Sequence, residues 1–102
     1  MNKKLKNEFV DILIQALLLI KNEDECMNFL DDILTATEIQ DIAQRLEVAI
    51  MLRNKETYQE ICEKTGASTA TISRVNRCLI YGADGYNTIL DKLEQKQTRI
   101  KE

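Results

Sequence analysis

The sequence predicts an all-α domain, and three observations predict it. There is no proline, and the only glycines are Gly66, Gly82 and Gly85, so long helices run unobstructed. Apolar residues recur in steps of three and four. Thr35 with Glu38, and Thr57 with Glu60, have capping-box spacing: the threonine hydroxyl accepts from the glutamate amide and the carboxylate bonds back to the threonine amide. With 102 residues, 44% apolar and 30% charged, the chain is expected to form one soluble domain around one modest core.

From Leu5 to Ile20, the positions Leu5, Phe9, Ile12, Leu13, Ala16, Leu17 and Ile20 predict a first amphipathic helix. Val10, Ile14, Leu18 and Leu19 widen its apolar face until it nearly encircles the helix. A helix so apolar in so small a domain needs cover from more than one side. A partner subunit supplies it, so a homodimer with interleaved N-terminal helices is expected; the other reading is a central helix of a monomeric bundle. The acidic stretch Asn22-Glu23-Asp24-Glu25 is expected to hold a turn. A second helix then runs to about Leu34 with Cys26, Phe29, Leu30, Ile33 and Leu34 inward, which makes 1–34 a dimerisation segment. Asp31 and Asp32 point about 100° apart on that helix and read as solvated surface rather than a metal site. The Thr35 capping box opens a central helix within 35–55, with Ile39, Ile42, Ala43, Leu46, Ala49, Ile50 and Arg53 spaced for burial, and Asn54-Lys55 ends it.

The stretch 57–81 reads as helix, tight turn, helix. Thr57 starts the first helix, Gly66 supplies the positive φ of its C-terminus, and Ser68 or Thr69 caps the second. So short a turn forces a steep crossing, as in a helix-turn-helix. On the second helix Ile72, Val75 and Leu79 fall on one side, and Ala70, Ser73, Arg74, Arg77 and Tyr81 on the other. No Asp or Glu occurs between Gly66 and Ala83, although the chain has 17 acids against 14 bases. The outward face is therefore locally cationic. Small side chains at Thr69, Ala70 and Ser73 let the helix start approach base edges, and Arg74 and Arg77 reach a guanine edge or a phosphate. A merely solvated face is the competing interpretation. Gly82-Ala83-Asp84-Gly85 is a loop, and a last helix within 86–102 carries Ile89, Leu90 and Leu93 before fraying into LEQKQTRIKE.

The net charge of −3 argues against a generally basic coat for nucleic acid, so any DNA contact comes from a local patch. Three cysteines without C-x-x-C spacing, and no histidine, argue against a zinc site or a disulfide framework, and no metal is expected. Cys26, Cys62 and Cys78 read as small core residues, with redox sensing a minority alternative. The longest uncharged run, Ile12 to Ile20, is too short to span a bilayer, and MNKKLK is not followed by a cleavage site, so a cytoplasmic protein without membrane association is expected. With no histidine, no phosphate-cradling glycine loop, and no activating partner beside Cys62 or Cys78, an enzyme is not expected.

Leu34-Thr35-Ala36-Thr37-Glu38, Arg45, Leu52-Arg53, Glu60-Ile61, Gly66-Ala67 and Ala70-Thr71-Ile72-Ser73-Arg74 together resemble the Trp repressor superfamily, over roughly Asp31 to Leu93. The pattern G-A-x-x-A-T-I-[ST]-R after a capped helix carries the specificity. The match is closer to the Trp-repressor-like relatives of Gram-positive bacteria than to the tryptophan-responsive repressor itself. The resemblance implies a six-helix, intertwined homodimer whose two helix-turn-helix heads, about 34 Å apart, enter successive major grooves of a palindromic operator in double-stranded DNA. It implies base-edge roles for Thr69, Ala70 and Ser73 and backbone or groove roles for Tyr58 and Gln59. Ser68, Arg74 and Arg77 complete the DNA-binding set.

The family's effector pocket carries over only in part. Thr35, Arg45, Thr71 and Arg74 match pocket residues, including the two arginines that sandwich the indole. Val75, however, replaces a glycine, and Cys78 replaces a serine that helps hold the ligand's amino group. A branched side chain occupies space the ring needs, and losing a buried polar partner costs about 1–3 kcal/mol. L-tryptophan is thus doubtful as corepressor. No cofactor is required, and Val75 either holds the head competent without ligand or fits another effector. The function expected is a dimeric, sequence-specific transcriptional regulator, a repressor, with Arg77 and basic residues such as Lys64 on phosphates. The alternative is a helical protein–protein interaction module that keeps the helix-turn-helix shape without binding DNA, which the acidic balance favours.

Overall fold

A computed structural model of the protein describes residues 7–101. Six helices follow one another, with no strand among the described residues: α1 Glu8–Leu18, α2 Glu23–Ile33, α3 Ala36–Arg53, α4 Tyr58–Thr65, α5 Thr69–Tyr81 and α6 Gly85–Lys101. This is the all-α order the sequence predicts. None of these helices is long and apolar enough to cross a membrane. The chain divides into two compact units, Met1–Ile39 and Gln40–Glu102, the division falling inside α3.

The first unit is defined by its caps. Asn7 Oδ1 accepts from the Val10 amide at 2.9 Å and starts α1; the expected start at Leu5 lies outside the described residues. Asn22 does the same for α2, accepting from the Glu25 amide at 2.9 Å. Glu23, Asp24 and Glu25 therefore form the first turn of α2 rather than the turn before it, where their charges meet the positive end of the helix dipole. The Thr35 capping box is reciprocal: Thr35 Oγ1 accepts from the Glu38 amide at 3.1 Å, and the Glu38 carboxylate accepts from the Thr35 amide at 2.9 Å. Packing is sparser than capping. No residue of α1 or α2 is buried, and Phe9 and Leu18 are 78% and 79% exposed. Cys26, Phe29, Leu30 and Leu34 are half-buried as expected, whereas Ile33 is exposed.

The second unit has a closed core. Val48, Ala49 and Met51 of α3, Ile61 of α4, Ala67 of the turn after it, Ile72 and Val75 of α5, and Leu90 of α6 are buried together, with Leu46, Leu52, Cys62, Leu79 and Tyr86 packed around them. The inward side of α3 differs from the expected one: Ile42, Ala43 and Ile50 are exposed, and Val48 and Met51 take their place. That helix has apolar residues on two sides, and only the helices packing against it decide between them. Lys55, at φ 65°, closes α3: its amide reaches Leu52 O at 3.0 Å and the Glu56 amide reaches Met51 O at 3.1 Å, a Schellman ending built without glycine. Arg53 then ties α3 to α6. Its guanidinium donates to Asn87 O at 3.1 Å and pairs with Asp91 at 2.5 Å, and the bond to Asp91 raises its pKa further. Asp84, at φ 66°, sets the start of α6, with Asn87 Nδ2 bridging Asp84 Oδ1 and Leu79 O, each at 3.0 Å. Of the α6 positions expected to pack, Leu90 is buried while Ile89 and Leu93 are exposed, and the helix continues through the charged tail to Lys101 instead of fraying.

Candidate nucleic-acid interface

The segment from Thr57 to Tyr81 follows its local rules closely. Thr57 Oγ1 accepts from the Glu60 amide at 3.1 Å and starts α4. The second half of the expected capping box takes another form: the Glu60 carboxylate accepts from the Thr57 hydroxyl at 3.1 Å, not from the amide. Gly66, at φ 75°, ends α4 with its amide on Cys62 O at 2.9 Å. Thr65 secures the turn, donating its hydroxyl to Ile61 O at 2.7 Å and accepting from the Ala67 amide at 3.0 Å. From α3, Gln44 Nε2 donates to Thr65 O at 3.1 Å. Ala67 is buried, and Ser68, not Thr69, caps α5 by accepting from the Thr71 amide at 3.1 Å. The turn between the helices is thus Gly66, Ala67 and Ser68.

With α5 anchored through Ile72 and Val75, its opposite side is open. Thr69, Ala70, Ser73, Arg74, Arg77 and Tyr81 are all exposed. Neither Arg74 nor Arg77 forms an ion pair among the described residues. Two free guanidinium groups and small side chains therefore share one face with the positive end of the helix dipole. Tyr58 and Gln59 of α4 are exposed too, but Gln59 Nε2 donates to Glu63 Oε1 at 3.4 Å, so α4 adds carboxylates near its own end of the surface. Lys64, expected on a phosphate, pairs with Glu56 at 2.6 Å, and that bond raises its pKa.

Val75 is 2% exposed and belongs to the core. Thr71 is half-buried and accepts from the Ser68 hydroxyl at 3.1 Å, while Thr35 lies in the first unit as the cap of α3. Cys78 lines an open cleft of about 500 Å³ with Leu46, Ala83, Gly85, Tyr86 and Ile89. Tyr86 is the residue the sequence reading passed over. Burial and then Cys78 push its phenol upward, and Arg45 and Arg74 are near enough to oppose them. The clue was an aromatic directly after the glycine-bounded loop. The cleft wall is apolar, and neither Arg45 nor Arg74 lines it.

The fold has counterparts among known proteins. The chain is 52% identical over 95 residues to the uncharacterized protein YerC of Bacillus subtilis (strain 168), covering 93% of this chain and 91% of that one. It is similar in structure to the crystal structure of a TrpR like protein from Eubacterium eligens ATCC 27750, at a TM-score of 0.87 and 54% identity, covering 91% of this chain and 96% of that one. The family model for the Trp repressor protein matches residues 8–94, and the chain belongs to the Trp repressor family.

Proposed function

We propose that the protein is a sequence-specific, DNA-binding transcriptional regulator, a repressor that occupies a palindromic operator as a homodimer. The observation that carries this reading is the outward face of α5, where Arg74 and Arg77 stand exposed and without ion-pair partners beside Thr69, Ala70 and Ser73. Arginines at the rim give affinity through phosphates, and the start of the helix gives the choice of sequence. Membership of the Trp repressor family supports the same reading. The uncovered apolar surface of α1 supports the pairing of chains. With Val75 in the core and Cys78 on an apolar cleft, affinity for DNA should be the same with and without L-tryptophan.

The test is an electrophoretic shift on genomic fragments, followed by selection of sites from random DNA with and without amino acids. Salt-dependent retention and a two-fold site are expected. Arg77→Ala should weaken binding and lower the slope of log affinity against log salt by about one, and Arg74→Ala should act likewise. No retention of any fragment by folded protein at low salt would overturn the regulator in favour of a protein-binding module.

A further inference from the structure

We propose that Tyr81 is a further DNA contact, its phenolic hydroxyl donating to a backbone phosphate at the edge of the groove that α5 enters. The inference rests on the DNA-binding reading above and extends its site by one helical turn. Tyr81 is 82% exposed, more than any other large apolar residue of the described chain. Its hydroxyl has no hydrogen-bond partner among the described residues. At about 100° per residue, it points within roughly 40° of Ala70, Arg74 and Arg77. It therefore stands on the face that carries the arginines, opposite Ile72 and Val75.

Axial position sets what it can reach. Tyr81 lies eleven residues beyond Ala70, about 16 Å along the axis at 1.5 Å per residue. The major groove is about 12 Å wide, so with Thr69 and Ala70 at the base edges Tyr81 stands at the sugar–phosphate wall. No carboxylate lies between Gly66 and Ala83 to repel a phosphate there, and the next acid, Asp84, is engaged by Asn87 at 3.0 Å. The end of α5 is also held in place. The Gly82 amide donates to Cys78 O at 3.0 Å and closes the helix, and a Cβ at Gly82 would collide with that carbonyl, so this ending requires glycine. A phenol is an uncharged donor, which separates its signature from that of Arg77: it fixes the protein on the duplex without displacing a counterion.

Fluorescence anisotropy on a selected operator and on unrelated duplexes tests this, comparing the wild type with Tyr81→Phe, Tyr81→Ala and Arg77→Ala. Tyr81→Phe should lose about tenfold in affinity on every sequence alike, with the salt slope unchanged, while Arg77→Ala lowers that slope. Circular dichroism should be unaltered, since the residue is largely exposed. Wild-type affinity in Tyr81→Phe overturns the contact, whether or not Tyr81→Ala is weakened, because the hydroxyl is then idle. A loss confined to one sequence overturns it too, in favour of a base contact. If the wild type itself binds no duplex, the regulator reading falls and this contact with it; if only the Tyr81 variants are silent in effect, the regulator stands without it.

Discussion

The two units of the chain use equally good helix signals and reach opposite ends. In the second, α3 to α6 bury Val48, Ile61, Ile72 and Val75 almost completely. In the first, α1 and α2 are capped by Asn7 and Asn22 with equal precision, yet bury no residue. Caps and periodicity decide where a helix begins and which side is apolar. They do not provide anything for that side to pack against. An isolated helix of 11 residues is marginal in water, so the capped helices of the first unit depend on tertiary cover that this chain alone leaves incomplete. A second copy supplies it under the dimer reading.

That contrast can be broken most decisively in the second unit. Ile72→Ala empties the centre of its core and should cost about 2–5 kcal/mol, read as a lower urea midpoint. A loss under 1 kcal/mol would mean that this core is looser than its burial indicates. In the first unit, Phe9→Glu with Leu18→Glu should lower self-association about a hundredfold or more in sedimentation equilibrium, because charge would replace uncovered apolar contact surface. The same association in the variant would show that these faces meet no partner. Smaller than either is the effect of Gly66→Ala. Nothing lies within 4 Å of an added Cβ, so the cost is backbone alone, about 1 kcal/mol for a left-handed residue.

The smallest effect concerns pH. Hydrogen bonds from the Thr35 amide and then its hydroxyl hold Glu38 below the ordinary glutamate range. A carboxyl lowered in the folded state stabilises above its unfolded pKa, and that contribution fades as pH falls through the folded value. The urea midpoint should therefore drop slightly more between neutral pH and pH 3 in the wild type than in Glu38→Gln. Equal drops would show that the capping box adds nothing measurable.

What could be read in advance follows the same division between local and distant causes. Thr35, Thr57, Gly66 and Ser68 act on residues three or four positions away, and their roles were visible in the chain. So was the division of α5 into a face with Ile72 and Val75 and a face with Arg74 and Arg77. The ion pair of Lys64 was not legible because its partner, Glu56, precedes α4 and follows the left-handed Lys55. Left-handed Lys55 and Asp84 carry no glycine to announce them. Val48 and Met51 were missed on α3, and Tyr86 beside Cys78, because each is fixed by neighbours remote in sequence.

The turn between α4 and α5 has no slack. Gly66 is left-handed, Ala67 is sealed in the core and Ser68 is the cap, so every position is already committed. One inserted residue would displace the left-handed Gly66, the buried Ala67 or the Ser68 cap, moving the guanidinium groups off their heading. Such a head can acquire a new operator by exchange of Thr69, Ala70 or Ser73, whereas insertions and deletions in its turn are closed to it as a route of divergence.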